Sequence, residues 1–171
     1  MISHRTLFGA GAAACLLLLA YGYYLQYFQD QDPCPLCLVQ RGFYYACAVV
    51  FLAGAIHGAG AMAYSIAASV VALGGAGVAA RQVWLQHLPA AQVPACGPDL
   101  FYMMQNFPLG RTIEKLFTGS GQCAEVKWRF LGLSIAEWSL ACFLALALYA
   151  LWVGFRQRSP RQSLQQEAGI R

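Results

Sequence analysis

Long stretches without charged residues alternate with polar segments along this chain. Lys, Arg, Asp and Glu are missing from three stretches: Leu7–Leu25, Gly42–Ala80 and Trp138–Phe155. About 20 helical residues at roughly 1.5 Å each cross the hydrocarbon of a bilayer, so the middle stretch is too long for one crossing. It must fold back, and the small and polar residues His57-Gly58-Ala59-Gly60 place the turn. The pattern therefore predicts four spans, at about 7–26, 40–56, 62–81 and 137–155.

Composition places the chain in a membrane. Hydrophobic residues make up 59% of the 171 residues and charged residues 11%, whereas about 25% are charged in a typical globular protein. Within lipid the backbone must satisfy its own hydrogen bonds, and the alternating pattern of a barrel strand is missing, so the spans are helices. We predict an all-α membrane protein, a four-transmembrane-helix bundle forming one integral membrane domain over 1–171. No nucleic-acid partner is expected.

The connecting segments fall on two sides of the membrane. Two spans separate the segments 27–39 and 82–136, so these two loops emerge on the same side. Arg5 and the arginine-rich tail 156–171 favour cytoplasmic termini, although six basic residues also lie on or beside the loops. The loops are then external and the tail is a mobile cytoplasmic segment. Within the second loop, Trp128–Ala136 is predicted to lie at the membrane interface.

Four cysteines lie in the two external loops, as two pairs. Cys34 and Cys37 form a Cys-Pro-Leu-Cys motif where the second span begins, with Asp32 as the expected helix cap and Pro33 or Pro35 suited to the first turn. Residues three apart lie on one helix face, and a helix N-terminus stabilises a thiolate. The second pair, Cys96 and Cys123, lies in the long loop. Two pairs in one compartment provide a route for electrons.

Arg41 follows Cys37 by four residues, one turn deeper on the same face. Its permanent positive charge at the membrane edge is suited to holding a thiolate or the reduced form of an electron acceptor. An arginine that merely extends to the interface is the alternative.

The cysteines allow other interpretations too. Cys96 and Cys123 could form a structural disulfide worth about 3–4 kcal/mol. A zinc site with four cysteines is disfavoured, because two CxxC motifs are usual there and only one is present, so no metal is expected. Cys15, Cys47 and Cys142 fall inside spans, where thiols usually act as apolar packing groups. His87 is expected to be an ordinary loop histidine.

The order of these features resembles the bacterial disulfide-bond formation membrane proteins of the DsbB type, over Leu7 to Phe155. The resemblance rests on a span, a CxxC, an arginine four residues later, two close spans, a long loop with a cysteine pair, and a last span. Its most specific segments are Cys34-Pro35-Leu36-Cys37-Leu38-Val39-Gln40-Arg41, Arg81-Gln82-Val83-Trp84-Leu85-Gln86 and Gly121-Gln122-Cys123-Ala124-Glu125 with Trp128 and Phe130-Leu131-Gly132-Leu133.

The resemblance implies an inner-membrane protein thiol:quinone oxidoreductase with periplasmic redox loops. Its partner would be a periplasmic thioredoxin-fold protein of the DsbA type, and its cofactor ubiquinone or menaquinone from the membrane pool. The partner would attack Cys96 and release Cys123, which would exchange with the Cys34–Cys37 disulfide. Cys37 would then pass electrons to a quinone beside Arg41.

Three further residues bear on the quinone site, and two other functions are compatible with the sequence. Arg81 and Gln82 are candidates for additional contact with the quinone, and the sequence does not decide whether His87 also touches it. An enzyme similar to vitamin K epoxide reductase is one alternative function, although there the CxxC follows the loop pair. A membrane scaffold with loops stapled by disulfides, without enzymatic activity, is the other.

Overall fold

Four long helices dominate the computed structural model, which describes residues 3–31, 33–58, 60–89, 92–93, 108, 110, 121–126 and 128–168, the side chains only as far as residue 156 and not those of residues 121–122. The helices are α1, His4–Phe28; α2, Pro35–His57; and α3, Ala61–Gln86. A short helix α4, Gly121–Ala124, and the strands β1, Arg129–Phe130, and β2, Leu133–Ser134, precede the last helix α5, Ile135–Ala168.

Each of the four long helices contains an apolar stretch able to cross a membrane. In α5 this stretch is Ile135–Arg156, and α1, α2 and α3 qualify over their whole length. All four predicted spans lie inside these helices, so the predicted fold class is confirmed. The helices extend beyond the predicted spans because polar residues at their ends continue the backbone hydrogen bonding outside the apolar stretch.

The bundle is held together by small residues that let the helices approach closely. A Cβ atom added at Gly11 of α1 would lie 2.8 Å from the Phe51 ring of α2, and one added at Gly54 of α2 would lie 2.8 Å from the Phe8 ring of α1. Both rings are fully buried. In lipid no hydrophobic force drives helices together, so such close packing is what holds α1 against α2.

The helices pack in chain order, α1 on α2, α2 on α3 and α3 on α5, whereas α1 and α5 share few contacts. One contact between α1 and α5 is the hydrogen bond that the Tyr149 hydroxyl donates to the Leu7 carbonyl, at 2.7 Å. It lies at the end of the bundle away from Cys34. Space between α1 and α5 therefore remains at the cysteine end.

The turn between α2 and α3 lies where it was predicted. Helix α2 ends at His57 and α3 begins at Ala61. Gly58 and Gly60 have φ angles of 69° and 71°, in the left-handed region that glycine adopts without steric cost.

A small hairpin precedes α5, where the sequence predicted only an interfacial segment. Strands β1 and β2 pair antiparallel through a two-residue turn with positive φ at Leu131 (52°) and Gly132 (84°). This is the turn that matches the twist of a hairpin. The Phe130 side chain of β1 is 52% exposed, which agrees with an apolar surface facing lipid.

The start of α5 is fixed by a capping box that the sequence reading did not identify. The Ser134 amide donates to Glu137 Oε2 at 2.6 Å, and the Glu137 amide donates to Ser134 Oγ at 3.3 Å. The two residues thus satisfy each other's backbone donors.

Helix α5 continues beyond Phe155 to Ala168, so most of the segment that was predicted to be a mobile tail is helical. Arg, Gln and Glu, which are common there, are good helix formers, so polarity alone did not end the helix.

Candidate functional site

Helix α2 begins at the Cys-Pro-Leu-Cys motif. Cys34 is the N-cap, in an extended conformation, and its sulfur accepts the Cys37 amide hydrogen at 3.4 Å. Pro35 occupies the first turn, as predicted, because its missing N–H is not needed there. The expectation of an Asp32 cap was wrong: Cys34 takes that position, and Asp32 itself lies outside the described residues.

The two sulfur atoms of the motif face each other. Cys34 Sγ and Cys37 Sγ are 2.9 Å apart, and both thiols are free. Cys34 is buried whereas Cys37 is half-buried. The geometry lets the pair exchange between dithiol and disulfide with little backbone movement.

A buried glutamine from α3 contacts both sulfurs. Gln82 Nε2 donates to Cys34 Sγ and to Cys37 Sγ, each at 3.3 Å. Its Oε1 atom accepts a 2.7 Å hydrogen bond from Gln40 Nε2. Gln40 and Gln82 are each only 4% exposed. The amide N–H groups thus provide fixed donors toward any negative charge on the sulfurs.

Gln82 was a candidate from sequence, and Gln40 was missed. The sequence does contain a signal for Gln40, which is a polar residue at the start of a long apolar span. A polar side chain buried there requires a hydrogen-bond partner.

Cys123 joins the motif from α4. It is fully buried and packs with Cys34, Leu36, Val78 and Leu85. Hydrogen bonding between Cys34 and Cys123, then between Cys34 and Cys37, together with burial, raises the pKa of the Cys34 thiol. Of the four predicted redox cysteines, Cys34, Cys37 and Cys123 therefore lie together. Cys96 lies outside the described residues.

Arg41 extends from α2 to α1. Its Nη1 atom donates to Gln26 Oε1 at 2.6 Å and its Nη2 atom to the Gly22 carbonyl at 3.1 Å. The guanidinium carbon lies 4.6 Å from the Tyr23 ring centroid. These contacts hold the charge at a fixed place, whereas an arginine reaching for the headgroups would be turned toward water.

A cavity of about 590 Å³ opens beside Cys37. Its polar lining includes Arg41 and Gln82, and residues of α1 and α5 also line it. The apolar part of the lining includes Leu18, Leu19, Leu25, Ile135, Trp138 and Cys142. The cavity occupies the space that α1 and α5 leave at this end of the bundle, so a flat apolar molecule with polar groups could contact Cys37 there.

The remaining candidate residues take different positions. Arg81 stacks over the Trp84 ring at 4.2 Å, and the exposed His87 ring bonds the Val83 carbonyl at 2.8 Å. Neither residue lines the cavity, whereas Gln82 does. Cys15 and Cys47 are fully buried in the apolar core. Cys142, predicted to be a packing residue, also lines the cavity. Among the described residues, no group of three or more His, Cys, Asp or Glu side chains is arranged to hold a metal ion.

The fold and the site together define a polytopic helical membrane protein with three thiols gathered beside a cavity at one end of the bundle. Residues 4–153 match the family model described as Disulfide bond formation protein DsbB. The chain therefore belongs to the DsbB family.

Relatives with the same description agree over nearly the whole chain. The chain is 49% identical over 152 residues to Disulfide bond formation protein B of Methylococcus capsulatus, covering 87% of this chain and 93% of the relative. It is 47% identical over 154 residues to the protein of that name from Nitrosococcus oceani (88% and 91%). The corresponding protein of Hahella chejuensis is 44% identical over 163 residues (94% and 98%).

The family that the sequence resembled is thus confirmed. The chain is a membrane disulfide bond formation protein with oxidoreductase character. This membership decides against an enzyme similar to vitamin K epoxide reductase and against a scaffold without activity.

Proposed function

We propose that this protein is an inner-membrane protein thiol:quinone oxidoreductase that reoxidises a periplasmic dithiol protein of the DsbA type. One observation carries the proposal: the Cys34–Cys37 pair lies between Cys123, which is hydrogen-bonded to Cys34, and a cavity that both cysteines line together with Arg41. The pair thus has separate neighbours for receiving electrons and for giving them up.

The proposed order of thiol exchange has three partners in sequence, and the contact between Cys123 and Cys34 supports its second step. A thiolate of the partner attacks Cys96, breaks the Cys96–Cys123 disulfide and leaves Cys123 as a thiolate. Cys123 then attacks Cys34, since Cys34 is the sulfur it packs against. This step forms a Cys34–Cys123 bond, breaks the Cys34–Cys37 bond and leaves Cys37 as a thiolate. The second thiolate of the partner then displaces Cys96 and closes the partner disulfide, and Cys96 attacks Cys123, which restores the Cys96–Cys123 disulfide and releases Cys34. Each exchange makes one disulfide and breaks one, so both electrons of the partner dithiol arrive on the Cys34–Cys37 dithiol, which would regain its disulfide by giving up two electrons and two protons to an acceptor.

The side chains around Cys37 suit the thiolate that this exchange produces. Gln82 Nε2 is placed to donate to the Cys37 sulfur. Arg41 contributes a permanent positive charge to the same cavity. Gln82 is buried and Arg41 is half-buried, so water screens them less than it would screen exposed groups, and their effect on a thiolate is larger.

The cavity also fits a quinone. Its size lies within the usual range for small-molecule sites, and it combines apolar walls with a few polar groups. Leu18, Leu19 and Leu25 of α1 and Trp138 of α5 would hold the ring, and Arg41 would contact an oxygen of the head group. Ubiquinone or menaquinone bound there would supply a two-electron acceptor for the Cys34–Cys37 dithiol.

Orientation follows from the proposed partner. A periplasmic dithiol protein can reach Cys96 only if the loops 27–39 and 82–136 lie in the periplasm. Both termini are then cytoplasmic, in agreement with the arginine-rich tail. The whole chain, 1–171, acts as one integral membrane domain.

Steady-state kinetics of Arg41→Leu test the quinone site. With a reduced DsbA-type protein as electron donor, we expect a higher quinone KM and a turnover about tenfold to a hundredfold lower, since a hydrogen bond to a charged group contributes about 1.5–3 kcal/mol. Arg41→Lys should recover part of the activity, because it keeps the charge but loses the planar fork.

Arg81→Leu is the matched control. Arg81 lies near the same end of the bundle but does not line the cavity, so its loss should leave the quinone KM unchanged. Wild-type kinetics in Arg41→Leu would mean that Arg41 is only an interfacial anchor and that the quinone does not bind in this cavity.

A further inference from the structure

Two hydroxyl groups face each other on the cavity wall beyond Arg41. Tyr44 of α2 and Ser139 of α5 both line the cavity. The Tyr44 hydroxyl is 3.2 Å from Ser139 Oγ and 3.3 Å from the Ser139 carbonyl oxygen. Tyr44 is only 7% exposed, and its ring stacks on Phe143 with centroids 4.1 Å apart at 12°. The phenol is thus held in place by packing.

Tyr44 continues the stripe that α2 presents to the cavity. Cys37, Arg41 and Tyr44 are at positions i, i+4 and i+7 and so lie on one helix face. Tyr44 lies three residues beyond Arg41, or about 4.5 Å along the helix axis. The cavity wall therefore carries polar residues at two levels along the α2 axis.

The Tyr44 and Ser139 hydroxyls have one O–H donor more than the hydrogen bond between them uses. A tyrosine and a serine together carry two O–H donors, and the bond between them uses one. The other is satisfied by the Ser139 carbonyl in this structure, and it can turn to an acceptor in the cavity. A helix carbonyl usually already accepts a backbone amide, so giving up this second bond costs little.

We propose that Tyr44 and Ser139 form a second polar contact for the quinone, donating one hydrogen bond to the ring oxygen that Arg41 does not reach. This inference rests on the proposed function. Together with Arg41, the two hydroxyls would select a ring that carries oxygens at two opposite positions. A lipid chain has no acceptor to offer at that depth. Tyr44 and Ser139 act here in binding, without taking part in thiol exchange.

The test is equilibrium binding of a short-chain benzoquinone to the purified protein, followed by tryptophan fluorescence, because Trp128 and Trp138 line the cavity. Tyr44→Phe keeps the ring that packs on Phe143 and removes only the hydroxyl. We expect its quinone Kd to rise about three- to tenfold, the usual effect of losing one neutral hydrogen bond. Ser139→Ala should have a smaller effect. The double variant should resemble Tyr44→Phe alone, because the two hydroxyls act as a unit.

Tyr149→Phe is the matched control. It also removes a tyrosine hydroxyl bonded to a backbone carbonyl, at 2.7 Å, but at the other end of the bundle, so its Kd should equal that of the wild type. Formation of the mixed disulfide with the partner should be unaffected in Tyr44→Phe.

The possible outcomes separate the two proposals. If the wild type binds quinone and Tyr44→Phe binds it equally well, the second polar contact is wrong and the proposed function stands. If the wild type binds no quinone, both are wrong. A Kd that rises as much in Tyr149→Phe as in Tyr44→Phe would mean that the effect is one of general packing, and would also overturn the inference.

Discussion

Replacing Gln82 by methionine would test whether the buried amide sets the redox potential of the Cys34–Cys37 pair. Gln82 Nε2 lies 3.3 Å from each sulfur, and an N–H donor stabilises a thiolate more than a neutral disulfide. Its loss should therefore destabilise the reduced state. Sulfur is a weak acceptor, so we take about 1.4 kcal/mol, near the lower end for bonds to charged groups, which is about 30 mV for a two-electron couple. We expect the potential to fall by about that amount.

Gln82→Met also leaves the Gln40 amide without its 2.7 Å acceptor. A buried donor without a partner costs about 1–3 kcal/mol, whereas replacing both partners by apolar groups can be nearly neutral. The double variant Gln40→Met/Gln82→Met should thus regain most of the thermal stability lost in Gln82→Met, yet keep its lowered potential. This separates the effect on the sulfurs from a general loss of stability.

The assay equilibrates purified protein with thiol–disulfide buffers and counts reduced thiols by alkylation and mass spectrometry. Cys96→Ser and Cys123→Ser in the background leave one pair to titrate. Gln86→Met is the control, since Gln86 Oε1 accepts a 2.8 Å hydrogen bond from Ser134 Oγ and bonds no sulfur among the described residues. An unchanged potential in Gln82→Met, or an equal fall in Gln86→Met, would refute the reasoning.

Three further predictions concern other parts of the molecule. Cys123→Ser should trap a covalent complex between Cys96 and the partner, visible on non-reducing gels, and mapping of the bond to Cys34 by mass spectrometry would reverse the assigned order. Cys47→Ala should keep near-normal turnover, because this thiol is buried in the apolar core; loss of turnover in folded protein would contradict that role. Gly54→Leu should lower stability by about 1–3 kcal/mol through overpacking against α1, and an unchanged melting temperature in detergent would argue against this close contact.

The four membrane-spanning helices could be predicted from the sequence, for a physical reason. A charge inside lipid is costly, so the charge-free stretches on either side of His57 had to become spans. Glycine was required where the chain reverses, and Gly58 and Gly60 do adopt positive φ. The hairpin was missed because Leu131, with φ of 52°, is a residue that rarely adopts this conformation.

The site could be predicted only in part, because its contacts cross between helices. The spacing of Cys34, Cys37 and Arg41 along one helix was enough to place them on one side of α2. The approach of Gln82 to the sulfurs depends on the relative height of α2 and α3, and the anchoring of Arg41 by Gln26 depends on the rotation of α1. Neither quantity is encoded in local spacing.

The most direct test of the proposed electron route is a stoichiometric assay under anaerobic conditions. Purified protein is mixed with a reduced DsbA-type partner and a short-chain quinone, and quinol and partner disulfide are both counted. The account predicts one quinol for each disulfide formed, with loss of both products in Cys37→Ala. Disulfide formation without quinol, or quinol production that persists in Cys37→Ala, would contradict the route from Cys123 through Cys34 and Cys37 to the quinone.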